Sequence, residues 1–199
     1  MAVLVTKDAP DFTANAVLAD GSMQADFTLS SLKGKKVVLF FYPLDFTFVC
    51  PSELIAFDHR IAEFEKRGVQ VVGCSVDSHF THAAWRNTAV ENGGIGPVNY
   101  PLVADLDKNI ARDYDVLFNE SIALRGSFLI DEEGKVRHQV VNDLPLGRNI
   151  DEMLRMVDAL EFHTKNGEVC PAGWSEGKPG MAASSEGVAA YLAENASAL

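Results

Sequence analysis

Three cysteines stand at positions 50, 74 and 170 of the 199-residue chain, in settings that differ for thiol chemistry. Cys50 ends the stretch Pro43-Leu44-Asp45-Phe46-Thr47-Phe48-Val49-Cys50 and is followed by Pro51. Proline suits the first position of a helix, where a missing N–H costs nothing. Apolar residues at Leu54, Phe57, Ile61 and Phe64 keep a helical spacing, and Arg67-Gly68 supplies a basic last turn and a stop. Cys50 is therefore expected in the first turn of a helix. Unpaired backbone N–H groups and the positive end of the helix dipole favour an anion there, which for cysteine is the nucleophilic thiolate. Thr47 adds a hydroxyl three residues earlier, and Pro43 and Pro51 stiffen the loop.

Cys50-Pro51-Ser52-Glu53 begins like a Cys-x-x-Cys redox motif but has Glu53 where the second thiol would stand. Cys50 must then work with a more distant thiol or as a lone nucleophile. Cys74 lies in the Val-rich run 69–76, where a free cysteine is commonly an inert apolar residue. Cys170, in Gly167-Glu168-Val169-Cys170-Pro171, is expected in an accessible, mobile segment and is the better second thiol. A thiolate oxidised to sulfenic acid condenses with such a thiol in a reversible cycle. Acyl transfer by Cys50 would need a histidine base, and no motif ties His59, His79, His82, His138 or His163 to it. His79 and His82 have a spacing that could hold a metal, but no cysteine or carboxylate stands nearby at ligand spacing. They read as ordinary surface or interface histidines.

Elements that position these residues follow from pattern. Val37-Val38-Leu39-Phe40-Phe41-Tyr42 has no polar alternation and suits a strand buried on both faces. The helix from Cys50 is expected to run to about residue 67, followed by a second buried strand over 69–76. Asp77 or Ser78 caps a helix to about Glu91, and Asn92-Gly93-Gly94-Ile95-Gly96-Pro97 is a loop. Pro101-Leu102-Val103 reads as a short strand, and Asp107 as the cap of a short helix ending near Tyr114. Residues 127–130 and 136–141 form a hairpin. Asn149, with Glu152 as capping-box partner, opens the last long helix. Asp20-Gly21 marks an N-terminal hairpin. The sum is an α/β fold, a central sheet with helices on both faces. A site is then expected beyond the carboxyl ends of its parallel strands, where Cys50 falls.

The division expected is one domain over residues 1–164, followed by a C-terminal arm over 165–199 that carries Cys170. With 17 Lys+Arg against 28 Asp+Glu the net charge is −11, and no basic stretch interrupts it, which argues against nucleic acid and anionic membrane as partners. No segment approaches transmembrane length, and residues 1–11 lack signal-peptide anatomy, so the cytoplasm is expected. Three cysteines in such a protein point to catalysis, redox sensing or inert burial rather than a disulfide framework.

The run 40–53 closely resembles the peroxidatic-cysteine segment of the typical two-cysteine peroxiredoxins. The resemblance continues through Ser75-Val76-Asp77-Ser78-His79-Phe80, Trp85, Gly93-Gly94-Ile95-Gly96 and Arg125-Gly126. It extends to Asn142-Asp143-Leu144-Pro145-Leu146-Gly147-Arg148 and Val169-Cys170-Pro171-Ala172-Gly173-Trp174, covering nearly the whole chain in family order. It implies a thioredoxin-like fold and a thiol peroxidase acting on hydrogen peroxide and organic hydroperoxides. Cys50 would be the peroxidatic cysteine and Cys170, from the partner subunit, the resolving one. Thr47 and Arg125 would bind peroxide and stabilise the thiolate, Pro43 would shield the site, and Glu53 and Arg148 would orient Arg125. The resemblance implies a homodimer with an intersubunit disulfide, often assembled into a ring of five dimers. Thioredoxin or a flavoprotein disulfide reductase would supply electrons. No cofactor or metal is called for, and Gly93-Gly94-Ile95-Gly96 is not in the strand–turn–helix context of a nucleotide site. Two rival readings use the same residues. One is a redox-sensing or chaperone-like oligomer, separated by peroxide turnover. The other is a disulfide reductase, which Glu53 disfavours.

Overall fold

The structure, a computed structural model, describes residues 3–199. Met1 and Ala2, which head the stretch expected to lack signal-peptide anatomy, lie outside the described residues. Two compact units are present, Met1–Ile150 and Asp151–Leu199.

The strands of the first unit are β1 (Thr13–Val17), β2 (Met23–Thr28), β3 (Lys36–Phe41), β4 (Val69–Ser75), β5 (Leu102–Ala104), β6 (Leu117–Phe118), β7 (Ile122–Ala123), β8 (Arg125–Ile130) and β9 (Val136–Asn142). Among the described residues, seven of them form one sheet in the order β2-β1-β5-β4-β3-β8-β9, while β6 and β7 pair apart. The neighbours β3, β4 and β5 run parallel, with Val38 opposite Val71 and Cys74 opposite Val103. β8 joins β3 antiparallel, with Leu39 opposite Phe128. The helices are α1 (Cys50–Asp58), α2 (Ile61–Lys66), α3 (His79–Arg86) and α4 (Asn109–Asp113).

The central place of β3 explains its unbroken apolar run. Val37, Leu39 and Phe41 enter a cluster with Ile110 and Ala111 of α4 and Phe128 of β8. Phe40 points the other way and stacks on Phe57 of α1, ring centroids 4.1 Å apart. Burying one such side chain is worth about 1.5–3 kcal/mol, and here successive residues are buried on opposite faces. Helices therefore cover both faces of the sheet, and the chain leaves the carboxyl end of β3 directly into the loop that reaches Cys50.

Three expected elements differ in detail. The helix from Cys50 breaks at His59–Arg60 into α1 and α2. There the Arg60 N–H donates to Phe57 O at 3.0 Å, one residue short of the helical partner, and its Nη1 donates to Ala56 O at 3.3 Å. The helix capped by Ser78 ends at Arg86, and a 3₁₀ turn over Val90–Asn92 covers the rest. Asp107 is not the cap of α4: Lys108 holds the cap position with no side-chain bond, and the buried Asp105 carboxylate accepts from the N–H groups of Ile110 and Ala111 at 3.0 and 2.7 Å.

The second unit holds most of α5 (Ile150–Asn166), then a loop, then α6 (Ser185–Asn195). Met153, Val157 and Leu160 of α5 are buried as the apolar pattern requires. The tail after α5, expected as an arm or a flexible segment, carries local structure of its own. Val169 and Met181 exchange two backbone hydrogen bonds, of 2.9 and 3.0 Å, closing a loop. Trp174 packs on Phe162 with centroids 4.8 Å apart, and the Ser184 hydroxyl caps α6 by accepting from Gly187 N at 3.0 Å.

Candidate active site

Cys50 is the first residue of α1 and is fully buried. No side chain caps this helix start: Val49 occupies the cap position and Pro51 the first turn. The Arg125 Nη1 lies 3.5 Å from Cys50 Sγ, in donor geometry. Arg125 opens β8, the strand beside β3, so the sheet register carries the guanidinium to the sulfur. A thiolate at this position meets a helix N-terminus and a cation that stays protonated.

Arg125 is held from behind. Its Nη1 also donates to Glu53 Oε2 at 2.6 Å and its Nε to Leu144 O at 2.8 Å. Glu53, one turn along α1 from Cys50, takes three bonds from Arg148: the backbone N–H and Nε to Oε1, and Nη2 to Oε2, each 2.9 Å. The Arg148 Nη1 continues to Phe41 O and Gly126 O at 2.8 and 2.9 Å, tying the group to β3 and β8. The guanidinium lies over the Phe40 ring, 5.0 Å from its centroid. These three side chains are 2–4 % exposed. One carboxylate between two guanidiniums leaves one positive charge in excess beside the sulfur.

The loop between β3 and α1 carries the other expected residues. Pro43 is buried at its start. The half-buried Thr47 donates its hydroxyl to Leu44 O at 2.8 Å, closing a turn and leaving its oxygen free to accept. Phe46, between them, has φ of 53°, a left-handed conformation rare for a residue with a Cβ. Five of the expected residues, Cys50, Thr47, Arg125, Glu53 and Arg148, together with Pro43, thus lie within the first unit, around the carboxyl end of β3.

His82 differs from expectation. It is not a surface histidine but fully buried, with Nδ1 2.8 Å from Asp45 Oδ2 and Nε2 3.1 Å from Val103 O. Both ring nitrogens are engaged, so it is not available as a metal ligand. Asp45, its partner, sits in the Cys50 loop and was not singled out by sequence. The available signal was Trp85, three residues after His82 and on the same helical face as a buried anchor.

Cys74 is buried in β4, and burial pushes its thiol well up, with the charge of Asp105 adding to the effect. Cys170 lies in the second unit, half-buried rather than loose. Its thiol donates to Ala159 O at 3.4 Å. Burial pushes this thiol up as well, with Arg155 acting against it. Arg155 donates to Trp174 O at 2.7 Å and so holds the turn after Cys170 on α5.

A profile of the AhpC/TSA family matches residues 5–139, and one of the C-terminal domain of 1-Cys peroxiredoxin matches residues 159–194. An alkyl hydroperoxide reductase C of Helicobacter pylori (strain J99) is 61% identical over 194 residues, spanning 97% of this chain and 98% of that protein. Peroxiredoxin-1 of Gallus gallus is 55% identical over 174 residues, 87% of each chain. The crystal structure of a reduced 2-Cys peroxiredoxin from Plasmodium vivax superposes with a TM-score of 0.94 at 50% identity, covering 96% of this chain and 100% of that one.

Proposed function

The chain belongs to the AhpC/TSA family, as a two-cysteine peroxiredoxin that reduces peroxide with thiols, and we propose that Cys50 is its peroxidatic residue and Cys170 of the partner subunit its resolving one. The observation that carries this assignment is the Arg125 guanidinium, 3.5 Å from Cys50 Sγ at a helix start.

In the first step the Cys50 thiolate attacks one oxygen of the peroxide. The S–O bond forms as the O–O bond breaks. The leaving alkoxide or hydroxide takes a proton and departs as alcohol or water, and Cys50 becomes a sulfenic acid. Charge grows on the leaving oxygen, so donors aimed at it speed the reaction. Arg125 supplies such donors, and Thr47 accepts a hydrogen bond from the bound peroxide. Pro43 keeps water from the sulfur. Glu53 and Arg148 act through Arg125 by fixing its plane. In the second step the Cys170 thiol condenses with the sulfenic acid, forming the disulfide and releasing water. A dithiol donor, thioredoxin or a flavoprotein disulfide reductase, then returns both cysteines to thiols by exchange.

The family forms homodimers and larger oligomers. We assign the arm, residues 165–199, the task of bringing Cys170 to the partner's site, and a ring of five dimers as the assembled form. Among the described residues no helix is long and apolar enough to cross a membrane. The thiol cycle fits a cytoplasm whose reductants keep cysteines reduced.

Peroxide is expected to convert the chain to a disulfide-linked dimer. In a two-fold dimer the same contact occurs twice, giving two crosslinks. A non-reducing gel with peptide mapping reads the outcome. A band that stays monomeric, with Cys50 and Cys170 joined inside one chain, defeats the intersubunit assignment.

A further inference from the structure

The turn that presents Thr47 to the site is pinned to the body of the protein by a buried network the peroxide chemistry does not use. Asp45 is its hub. The Asp45 backbone N–H donates to Asp77 Oδ2 at 2.8 Å. Its Oδ1 accepts from the Tyr42 hydroxyl at 2.8 Å, and its Oδ2 lies 2.8 Å from His82 Nδ1. The side chains of Asp45 and His82 are both 0% exposed. On the far side of the imidazole, Nε2 lies 3.1 Å from Val103 O in β5.

The hydrogen count of this network is constrained. A carbonyl oxygen only accepts, so Nε2 of His82 carries a hydrogen. Nδ1 and Oδ2 at 2.8 Å cannot face each other with lone pairs alone, so one proton lies between them. On either atom, the pair as a whole is neutral. Burial raises the Asp45 carboxyl, and the hydrogen bond and charge of His82 act against that rise, with Asp77 adding to it. A lone carboxylate in this position would be an uncompensated buried charge, which is far costlier than the pair.

The turn needs such an anchor. Thr47 closes it by donating to Leu44 O, and Asp45 and Phe46 are its two central residues. Phe46 is left-handed at φ 53°, a conformation that persists only where the surroundings impose it. Beside Tyr42 and Asp77, two of those surroundings come from one helix. His82 of α3 holds Asp45, and Trp85 of the same helix holds the Phe46 ring, with centroids 5.8 Å apart. Cys50 follows Thr47 by three residues, at the start of α1.

We propose that His82 and Asp45 form a proton-sharing latch that sets the Leu44–Thr47 turn, making His82 a positioning residue for the reaction of Cys50 with peroxide. The proposal rests on Cys50 being the peroxidatic thiol. It acts on where Thr47 stands, and through it on the bound peroxide.

The groups facing Asp45 are Tyr42 from the end of β3, Asp77 from the β4–α3 connection and His82 from α3, and the proton between His82 and Asp45 is what neutralises the carboxyl. His82→Gln keeps a donor toward Asp45 but cannot take up that proton. Asp45 then takes up a proton at low pH and ionises as pH rises, leaving a bare buried charge that displaces the turn. Stopped-flow rates of the reduced protein with hydrogen peroxide, measured over a range of pH, test this. The wild-type rate is expected to show no falling limb on the alkaline side. His82→Gln is expected to add a falling limb on the alkaline side, a loss on the order of 10- to 10²-fold, the scale set by small misplacements near reacting atoms. Asp45→Asn/His82→Gln has no carboxyl to ionise and should lose that limb. A His82→Gln profile parallel to wild type at every pH, or a limb that survives in the double variant, overturns the proposal. Tyr42→Phe keeps the proton-sharing pair but loses one donor, so it should slow the reaction evenly across pH. An unaltered Tyr42→Phe rate overturns the proposal even if His82→Gln does not fold. Peroxide reactivity retained in Cys50→Ser would instead strike the underlying assignment, which separates the two failures.

Discussion

Cys50→Ser is expected to abolish peroxide turnover, a loss of roughly 10³-fold or more, as deletion of a nucleophile commonly gives. Cys74→Ser is expected to keep it. A serine hydroxyl at position 50 meets the same Arg125 guanidinium and the same helix start, but it does not ionise near neutrality and cannot expel an alkoxide from oxygen. Cys74 has the opposite setting: it is sealed within β4, between Phe41 and Val103 in register, and burial holds its thiol in the protonated form. Its replacement should instead appear as lost stability. A hydroxyl placed in an apolar strand without a partner costs about 1–3 kcal/mol, and in a chain of this size that lowers Tm by about 2–4 °C per kcal/mol. Peroxidase assay and thermal melting therefore part the two variants in opposite directions. Equal loss of turnover in both, with melting unchanged, would remove Cys50 from its role.

Much of this was legible because local rules and global fold agree along the central segment. The buried run 37–42 could only be an inner strand, and Pro51 with the spacing of Leu54 and Phe57 fixed a helix at Cys50. What stayed hidden depends on contacts distant in sequence. Asp107 stands nearest the helix start in sequence, and only the path of the chain after β5 brings the Asp105 carboxylate to the N–H groups of Ile110 and Ala111. The break between α1 and α2 lies inside an apolar spacing that a single helix would also satisfy. His82 reads as an ordinary surface or interface histidine because its partner, Asp45, is 37 residues earlier. The tail read as loose because the bridge from Val169 to Met181 pairs residues with no periodic signal between them. The cluster of Glu53, Arg125 and Arg148 had a different origin. No spacing joins them, and the family resemblance alone proposed the grouping that the geometry then brought to one point.

Arg125→Ala carries the second large effect, a peroxide reaction slower by about 10²–10³-fold, the scale for losing a donor aimed at developing charge. Arg125 is the cation in hydrogen-bond range of Cys50 Sγ, so its removal also takes away a charge and a donor that favour thiolate over thiol. The fold should survive. Glu53 keeps its three bonds from Arg148, so no buried charge is left without a partner. Glu53→Ala is the contrasting case: it leaves two guanidiniums facing one another at 4 % exposure, and breaking a buried pair in this way typically costs about 3–5 kcal/mol. Arg125→Lys should fall between wild type and Ala, because one ammonium cannot reach Cys50 Sγ, Glu53 Oε2 and Leu144 O at once. Ultraviolet titration of the Cys50 thiolate and stopped-flow peroxide kinetics, run in the Cys170→Ser background to isolate the first step, give both quantities. An Arg125→Ala protein with an unchanged thiolate titration and a rate within about threefold of its parent, well short of the loss expected for such a donor, would show that the guanidinium only fills space beside the sulfur.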